Sequence, residues 1–120
     1  MKGKKPIIGF RYAWSGIIVT AKIERNFKIH LICGLLAILT GFYLGLSLLE
    51  WAILTLVISA VLAAELINTA VENVIDYLKP EPHPSAKYIK DAAAGAVLIT
   101  AIAAVVIGCL LFVPKIMDLL

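Results

Sequence analysis

The 120-residue sequence predicts an all-α integral membrane protein, with three transmembrane helices and an N-terminal amphipathic helix in the membrane interface. Its composition is the first reason: 62% of the residues are hydrophobic and 16% are charged, whereas a soluble domain is roughly 45–50% apolar and about a quarter charged. The second reason is that residues 31–49 and 92–113 contain no charge, and about 20 such residues cross ~30 Å of hydrocarbon. A soluble enzyme, a disordered tail and a nucleic-acid-binding protein are therefore not expected.

The N-terminal arm, residues 1–28, is basic and amphipathic. It carries seven of the eleven Lys and Arg residues of the chain. Phe10, Trp14, Ile17 and Ala21 recur at helical spacing, which puts them on one face of a helix. A basic helix with one apolar face is typical of a segment that lies in the membrane interface. A cleavable signal peptide fits poorly, because the charges continue through the whole arm before any long apolar segment begins.

Three helices follow the arm in a single domain that covers residues 1–120, and the sequence predicts them at about 29–48, 51–78 and 86–113. The short link between the first two predicts a helical hairpin. The second helix starts in the apolar run at Trp51 and continues past Glu65 to Pro80, so its last part should project into water. Ser85 is predicted to cap the third helix and Pro114 to end it.

The distribution of positive charge predicts the orientation. The arm and the loop between the second and third helices hold ten of the eleven basic residues, and Lys115 is the exception. The positive-inside rule therefore puts the N-terminus and that loop in the cytoplasm.

Four polar residues form a stripe on the second helix. At 100° per residue, Glu65, Asn68, Glu72 and Asp76 lie within about 80° of one another. At 1.5 Å per residue, Glu65 lies about 21 Å beyond Trp51, inside the hydrocarbon boundary, and the others lie close to it or outside. An ionisable group at membrane depth costs roughly 2.5–3.5 kcal/mol, so the stripe indicates a site. Three helices should not enclose it alone, so we expect a homo-oligomer whose neighbouring subunits cover it.

Further charged residues should reach the same level of the membrane and complete a phosphoryl-transfer site. Glu24 lies where the arm enters the first span, and Lys90-Asp91 starts the third. Carboxylates at the water boundary suit Mg²⁺, and a lysine can hold phosphate oxygens. Glu65, on the lipid side, can accept the proton of an alcohol. The arrangement favours phosphate transfer from a cytoplasmic nucleotide to a lipid alcohol, although the common glycine-rich nucleotide-binding loops are absent from the sequence.

Two other classes of protein fit parts of the pattern. A small proton-coupled transporter could use Glu65 as its proton carrier, but it would need that carboxylate near the middle of the membrane and would have no use for Lys90-Asp91. In a structural membrane subunit, neutralising the stripe would cost no activity.

Two sequence blocks resemble the prokaryotic diacylglycerol kinase family. They are Glu-Leu-Ile-Asn-Thr-Ala-Val-Glu at residues 65–72 and Lys-Asp-Ala-Ala-Ala-Gly-Ala-Val-Leu at residues 90–98. The resemblance extends to Trp14, Gly16 and Glu24 and covers nearly the whole chain. It implies a homotrimeric lipid kinase of the bacterial cell membrane that uses ATP and Mg²⁺, and whose partners are ATP, a lipid alcohol, the surrounding lipids and its own copies.

By matching position, the resemblance implies roles for individual residues. Glu65 would be the catalytic base, and Asn68 would position the reacting groups. Glu24 and Glu72 would bind the metal, and Lys90 would hold the phosphates of ATP. The full nucleotide side would comprise Tyr12, Glu24, Glu72, Asp76, Glu81, His83, Lys90 and Asp91.

Residues 24–30, Glu-Arg-Asn-Phe-Lys-Ile-His, favour one lipid over another. This run resembles the Gram-positive branch of the family, which phosphorylates undecaprenol to undecaprenyl phosphate. Diacylglycerol, which would give phosphatidic acid, is the alternative substrate. His30 is expected to pack in the first span, with lipid contact as the alternative.

Overall fold

A computed structural model describes residues 9–120 of the chain. Residues 1–8, with Lys2, Lys4 and Lys5 of the predicted arm, lie outside the described residues. The described part forms four helices: α1 (Gly9–Ile23), α2 (Arg25–Leu44), α3 (Leu48–Leu78) and α4 (Pro84–Leu119). The last three are long and apolar enough to cross a membrane. The predicted all-α fold with three candidate spans is therefore confirmed.

Helix α1 packs against α2 and α3. Its Phe10 and Trp14 side chains are exposed, whereas Ile17 and Ala21 are half-buried. Thr20 faces the other helices and is buried, and its hydroxyl donates to the Gly16 carbonyl at 2.7 Å. The exposed aromatic side chains of α1 are thus available to lipid, as expected for an interfacial helix.

The link between α2 and α3 is short because both helix ends are capped locally. Gly45 ends α2 with φ at +76°, and its N–H donates to the Gly41 carbonyl at 2.9 Å. This left-handed conformation is costly for residues with a Cβ atom. The Ser47 hydroxyl accepts from the Glu50 N–H, and the Glu50 carboxylate accepts from the Ser47 N–H. This reciprocal cap starts α3 directly after the turn.

The hairpin closes tightly at Gly41. A Cβ atom at this position would lie 2.8 Å from both Leu46 Cδ1 and Trp51 Cη2. The Trp51 ring also packs on Phe42, with ring centroids 4.7 Å apart. Because the indole is rigid and held from two sides, it has little freedom to move away from a larger residue at position 41.

We therefore expect Gly41→Ala to destabilise the folded chain by about 1–3 kcal/mol, the usual cost of overpacking. Thermal unfolding in detergent micelles, followed by circular dichroism, measures the effect. Gly108→Ala is the matched control, because a Cβ atom there meets no atom within 4 Å. Equal midpoints for the two variants would contradict the importance of this contact.

Helix α4 is longer than the sequence predicted, and the expected end at Pro114 is wrong. The helix continues to Leu119 with Pro114 inside it. Proline removes only one backbone donor, and transmembrane helices tolerate it. An ion pair supports the continuation: Lys115 Nζ lies 3.2 Å from Glu50 Oε1 at the start of α3. This contact also gives Lys115 a local partner.

The predicted cap of α4 also needs correction. His83, and not Ser85, occupies the cap position, and its Nδ1 accepts from the Ser85 N–H at 3.1 Å. Pro84 is then the first helical residue, the position at which proline is favoured because its missing N–H needs no partner. Helix α3 ends at Leu78, just before Lys79-Pro80, as the sequence predicts.

Candidate active site

The polar stripe of α3 forms a gradient of burial. Glu65 and Asn68 are 3% and 7% exposed, Glu72 is half-buried, and Asp76 is exposed. A single chain therefore already encloses the two deepest residues. Helices α1 and α2, together with α4, pack against α3 and cover these two residues, whereas Glu72 and Asp76 are not enclosed, so coverage of the stripe by neighbouring subunits stays a prediction.

The deepest carboxylate has one ionisable neighbour on α2. His30 Nε2 lies 3.6 Å from Glu65 Oε2, and the side chains are 22% and 4% exposed. The packing expected for His30 in the first span is thus observed, with Glu65 as a specific contact. This pairing was not predicted, because periodicity gives the face of each helix but not its rotation against its neighbour.

Two polar atoms next to Glu65 are buried without a partner. Asn68 Oδ1 and Thr69 Oγ1 make no hydrogen bond within the described part of the chain. A buried unsatisfied polar group costs about 1–3 kcal/mol, so such groups often belong to a site. Thr69 lines a cleft of about 320 Å³ between α1 and α3, and Tyr12 of α1 lines it too. Thr69 was not among the candidate residues, and its one signal in the sequence is its position beside Asn68.

Glu24 and Glu72 converge at the end of the bundle where α1 meets α2. Glu24 is the extended residue between these helices, and its carboxylate makes no capping hydrogen bond. Phe27, one turn later, is 1% exposed and anchors the start of α2. Glu72 lies within electrostatic reach of Glu24, Glu65 and Asp76, and of the Lys90 cation. The stripe and the start of α4 therefore share one electrostatic environment.

This group of carboxylates fits magnesium better than a metal held by protein alone. Within residues 9–120, no three His, Cys, Asp or Glu side chains are arranged to hold a metal ion. Mg²⁺ in phosphoryl-transfer sites typically takes one or two carboxylates and completes its shell with water and phosphate oxygens. An uncapped Glu24 carboxylate near Glu72 meets that requirement.

A charged cleft of about 660 Å³ lies where α3 passes into α4. Two ion pairs occupy it: Lys90 Nζ with Asp76 Oδ1, and Lys87 Nζ with Asp91 Oδ2, each at 2.5 Å. The hydrogen bond to Asp91 raises the pKa of Lys87, which precedes the uncharged span and stays a cation. The residues that line the cleft include Asp76, Lys79, Glu81, His83, Lys87, Lys90 and Asp91.

The structure thus brings most of the candidate residues to one end of the bundle, which we call the charged end. One group there is Glu24 with Glu72, and the other group lines the charged cleft. Five of them line the charged cleft, and Tyr12 lies apart in the α1–α3 cleft. Lys79 and Lys87 were not among the candidates, although three lysines within twelve residues were a visible signal. His83 has a structural task as the α4 cap in addition to its place in the charged cleft.

A third cleft, of about 280 Å³, runs between α2, α3 and α4 inside the apolar part of the bundle. Small residues such as Gly34, Ala101 and Ala104 leave this space, and Val57 and Phe112 line it. His30 is its polar residue, so the apolar cleft ends beside Glu65. The buried carboxylate lies between an apolar space and the charged end.

Comparison with known proteins places the chain among lipid-modifying enzymes. The family model described as Prokaryotic diacylglycerol kinase matches residues 11–112. Undecaprenol kinase of Bacillus subtilis (strain 168) is 43% identical over 106 residues, which cover 88% of this chain and 86% of the relative. Diacylglycerol kinase of Synechocystis sp. is 41% identical over 115 residues, 95% of this chain and 66% of the relative. Diacylglycerol kinase of Escherichia coli (strain K12) is 30% identical over 100 residues, 83% of this chain and 82% of the relative.

Proposed function

This chain belongs to the prokaryotic diacylglycerol kinase family and is a lipid kinase, and we propose that it transfers the γ-phosphoryl group of ATP to the hydroxyl group of undecaprenol. Diacylglycerol is the alternative acceptor. Because the chain belongs to this kinase family, we interpret the stripe as part of a kinase site, and not as the proton carrier of a transporter or as part of a structural subunit.

The observation that carries the proposal is the burial of Glu65 between the apolar cleft and the charged end. A lipid alcohol can keep its hydrocarbon chain among apolar side chains while its hydroxyl group reaches the carboxylate. Glu65 accepts the hydroxyl proton as the lipid oxygen bonds to the γ-phosphorus and the bond from that phosphorus to the β–γ bridging oxygen breaks. Asn68, one turn along α3, positions the reacting groups with its unpartnered Oδ1.

The nucleotide lies at the charged end. Lys90 holds phosphate oxygens of ATP. These oxygens must compete for Lys90 with Asp76, the present partner of this lysine. Asp91 orients the same end of the nucleotide. The other residues assigned to the nucleotide side are Tyr12, Asp76, Glu81 and His83.

Glu24 and Glu72 would hold the magnesium ion together with phosphate oxygens. Bound Mg²⁺ supplies neutralisation of negative charge on the β- and γ-phosphates. The mutual repulsion of the carboxylates around Glu72 favours a cation there.

The proposed cellular arrangement follows from charge and from the family. The basic loop and arm put the N-terminus and the charged end in the cytoplasm, where ATP is present. We propose a single domain over residues 1–120 that assembles as a homotrimer in the bacterial cell membrane. The trimer rests on family resemblance, and its neighbouring subunits would cover Glu72 and Asp76, which one chain does not enclose.

The choice of undecaprenol rests on residues 24–30 and on the name of the 43% identical relative. The diacylglycerol kinase at 41% identity keeps the alternative open. Purified protein should therefore be assayed with labelled ATP, Mg²⁺ and either lipid in the same mixed micelles. We expect kcat/KM for undecaprenol to exceed that for diacylglycerol at least ~10-fold, which corresponds to about 1.4 kcal/mol. The reverse ratio would assign diacylglycerol, and labelling of neither lipid would contradict both assignments.

A further inference from the structure

The contact between His30 and Glu65 brings a potentially cationic side chain to the deepest carboxylate of the stripe. The two atoms, Nε2 and Oε2, are 3.6 Å apart, an ion-pair distance that is slightly too long for a hydrogen bond. Within residues 9–120, no other Lys, Arg or His side chain lies within 4.0 Å of the Glu65 carboxylate. The pairing joins α2 to α3 at the level of the apolar cleft.

A buried base needs such a partner. A carboxylate accepts a proton only when it is ionised, and an ionised carboxylate without a partner is expensive in an apolar environment. Where a side chain acts as the base that activates a hydroxyl nucleophile, another side chain usually orients that base. The imidazole, with 22% of its side chain exposed against 4% for Glu65, lies on the more accessible side of the pair.

The other groups around His30 leave Glu65 as its evident partner. On α4, the cleft that His30 lines is apolar, with Ala101 and Ala104. On α2, the other ionisable residue in the cleft is Cys33, and the α3 residues that line the cleft are apolar. Glu65 contacts His30 beside the cleft. Glu65 in turn lies within electrostatic reach of Glu72. The negative charge of Glu72 repels ionised Glu65, and a positive neighbour of Glu65 offsets this repulsion.

We propose that His30 is a positioning residue of the kinase, which holds the Glu65 carboxylate in its ionised, proton-accepting form across the α2–α3 interface. The proposal rests on the proposed function, in which Glu65 takes the proton of the lipid hydroxyl group. His30 acts through Glu65 and makes no bond to the transferred phosphoryl group.

His30→Leu tests the proposal, because leucine fills the site without a charge or a donor. We expect kcat to fall roughly 10- to 100-fold with the KM for ATP unchanged, the effect of losing one charge-assisted contact. His30→Gln keeps an N–H donor and should recover part of the rate. Tyr43→Phe is the control on the same helix, since Tyr43 is exposed and lines none of the three clefts, and it should keep the wild-type rate.

Two readouts separate positioning from a merely structural role. In His30→Leu, the acid limb of the pH–rate profile should move to higher pH, because a carboxylate is stabilised in its ionised form by a positive neighbour. In a double-variant cycle, His30→Leu should add little to the defect of Glu65→Gln, because His30 acts only through that carboxylate. If His30→Leu does not fold in micelles, His30→Gln and its pH–rate profile give the same test.

Several outcomes would overturn the proposal. They are an unchanged kcat in His30→Leu, a raised KM for lipid with an unchanged kcat, and full additivity with Glu65→Gln. These outcomes leave the proposed function intact as long as Glu65→Gln alone is inactive. Wild-type activity in Glu65→Gln would instead remove the base, and the role of His30 with it.

Discussion

Glu65→Gln should lower the rate of lipid phosphorylation by roughly 10²- to 10⁴-fold, the contribution typical of a general base. The amide has nearly the same shape as the carboxylate but cannot accept the hydroxyl proton. Binding of ATP at the charged end should change little, because Lys90 and Asp91 line a separate cleft. The defect should therefore appear in kcat and leave the KM for ATP nearly unchanged.

The loss of activity should not come with a loss of folding. Glu65 is 3% exposed, and glutamine fills the same space and keeps a hydrogen-bonding oxygen towards His30, the more exposed side chain of the pair. We expect normal expression, normal oligomer size and a thermal midpoint close to that of the wild type. Initial rates with labelled ATP in mixed micelles and circular dichroism melts measure the two quantities.

Glu50→Gln is the matched control on the same helix. It removes a negative charge at the opposite end of α3, while glutamine can still complete the reciprocal cap with Ser47. Its activity should remain close to that of the wild type, with some loss of stability from the broken pair with Lys115. Wild-type-like rates in Glu65→Gln would show that another group accepts the proton.

The helices could be predicted because membrane spans obey a simple rule of length and charge. The uncharged stretch at residues 31–49 covers most of α2, the turn after it and the first residues of α3. The stretch at residues 92–113 lies within α4, and Pro80 follows the end of α3. The ends of α4 could not be predicted in the same way. Its continuation past Pro114 involves the pair of Lys115 with Glu50, which are 65 positions apart in the chain. The cap at His83 could have been predicted from the sequence, because proline, here at position 84, is favoured in the first helical turn.

The candidate site could be predicted as a face of one helix but not as a set of contacts. The 100° periodicity put Glu65 and Asn68 on one stripe of α3, and the structure buries both. The partners of the stripe come from other helices: His30 from α2 and Lys90 from α4. Those contacts depend on how each helix is rotated and shifted against its neighbour, which a pattern within one helix does not contain.

Glu72→Gln should raise the magnesium concentration needed for half-maximal activity by about 10- to 100-fold, the range for weakening a metal site. The substitution leaves an oxygen ligand in place but removes the negative charge that attracts the cation. Glu72 lies within electrostatic reach of Glu24, Glu65 and Asp76, with Lys90 as the opposing charge. Initial rates are measured against free Mg²⁺ at a saturating concentration of ATP. The control is Asp118→Asn, an exposed carboxylate near the C-terminal end of α4, which should leave the midpoint of the magnesium titration unchanged.

A second measurement distinguishes metal binding from a structural role of the same carboxylate. Without magnesium, Glu72 repels Glu24 and Glu65, so its neutralisation should raise the thermal midpoint of the metal-free protein. With saturating Mg²⁺, the wild type should gain more stability than the variant, because a ligand that binds only the folded state stabilises it according to its affinity. An unchanged titration midpoint, or equal stabilisation of both proteins by Mg²⁺, would contradict the metal role. Greater stability without the metal combined with a greater requirement for it is the result expected only of a carboxylate placed to bind the cation.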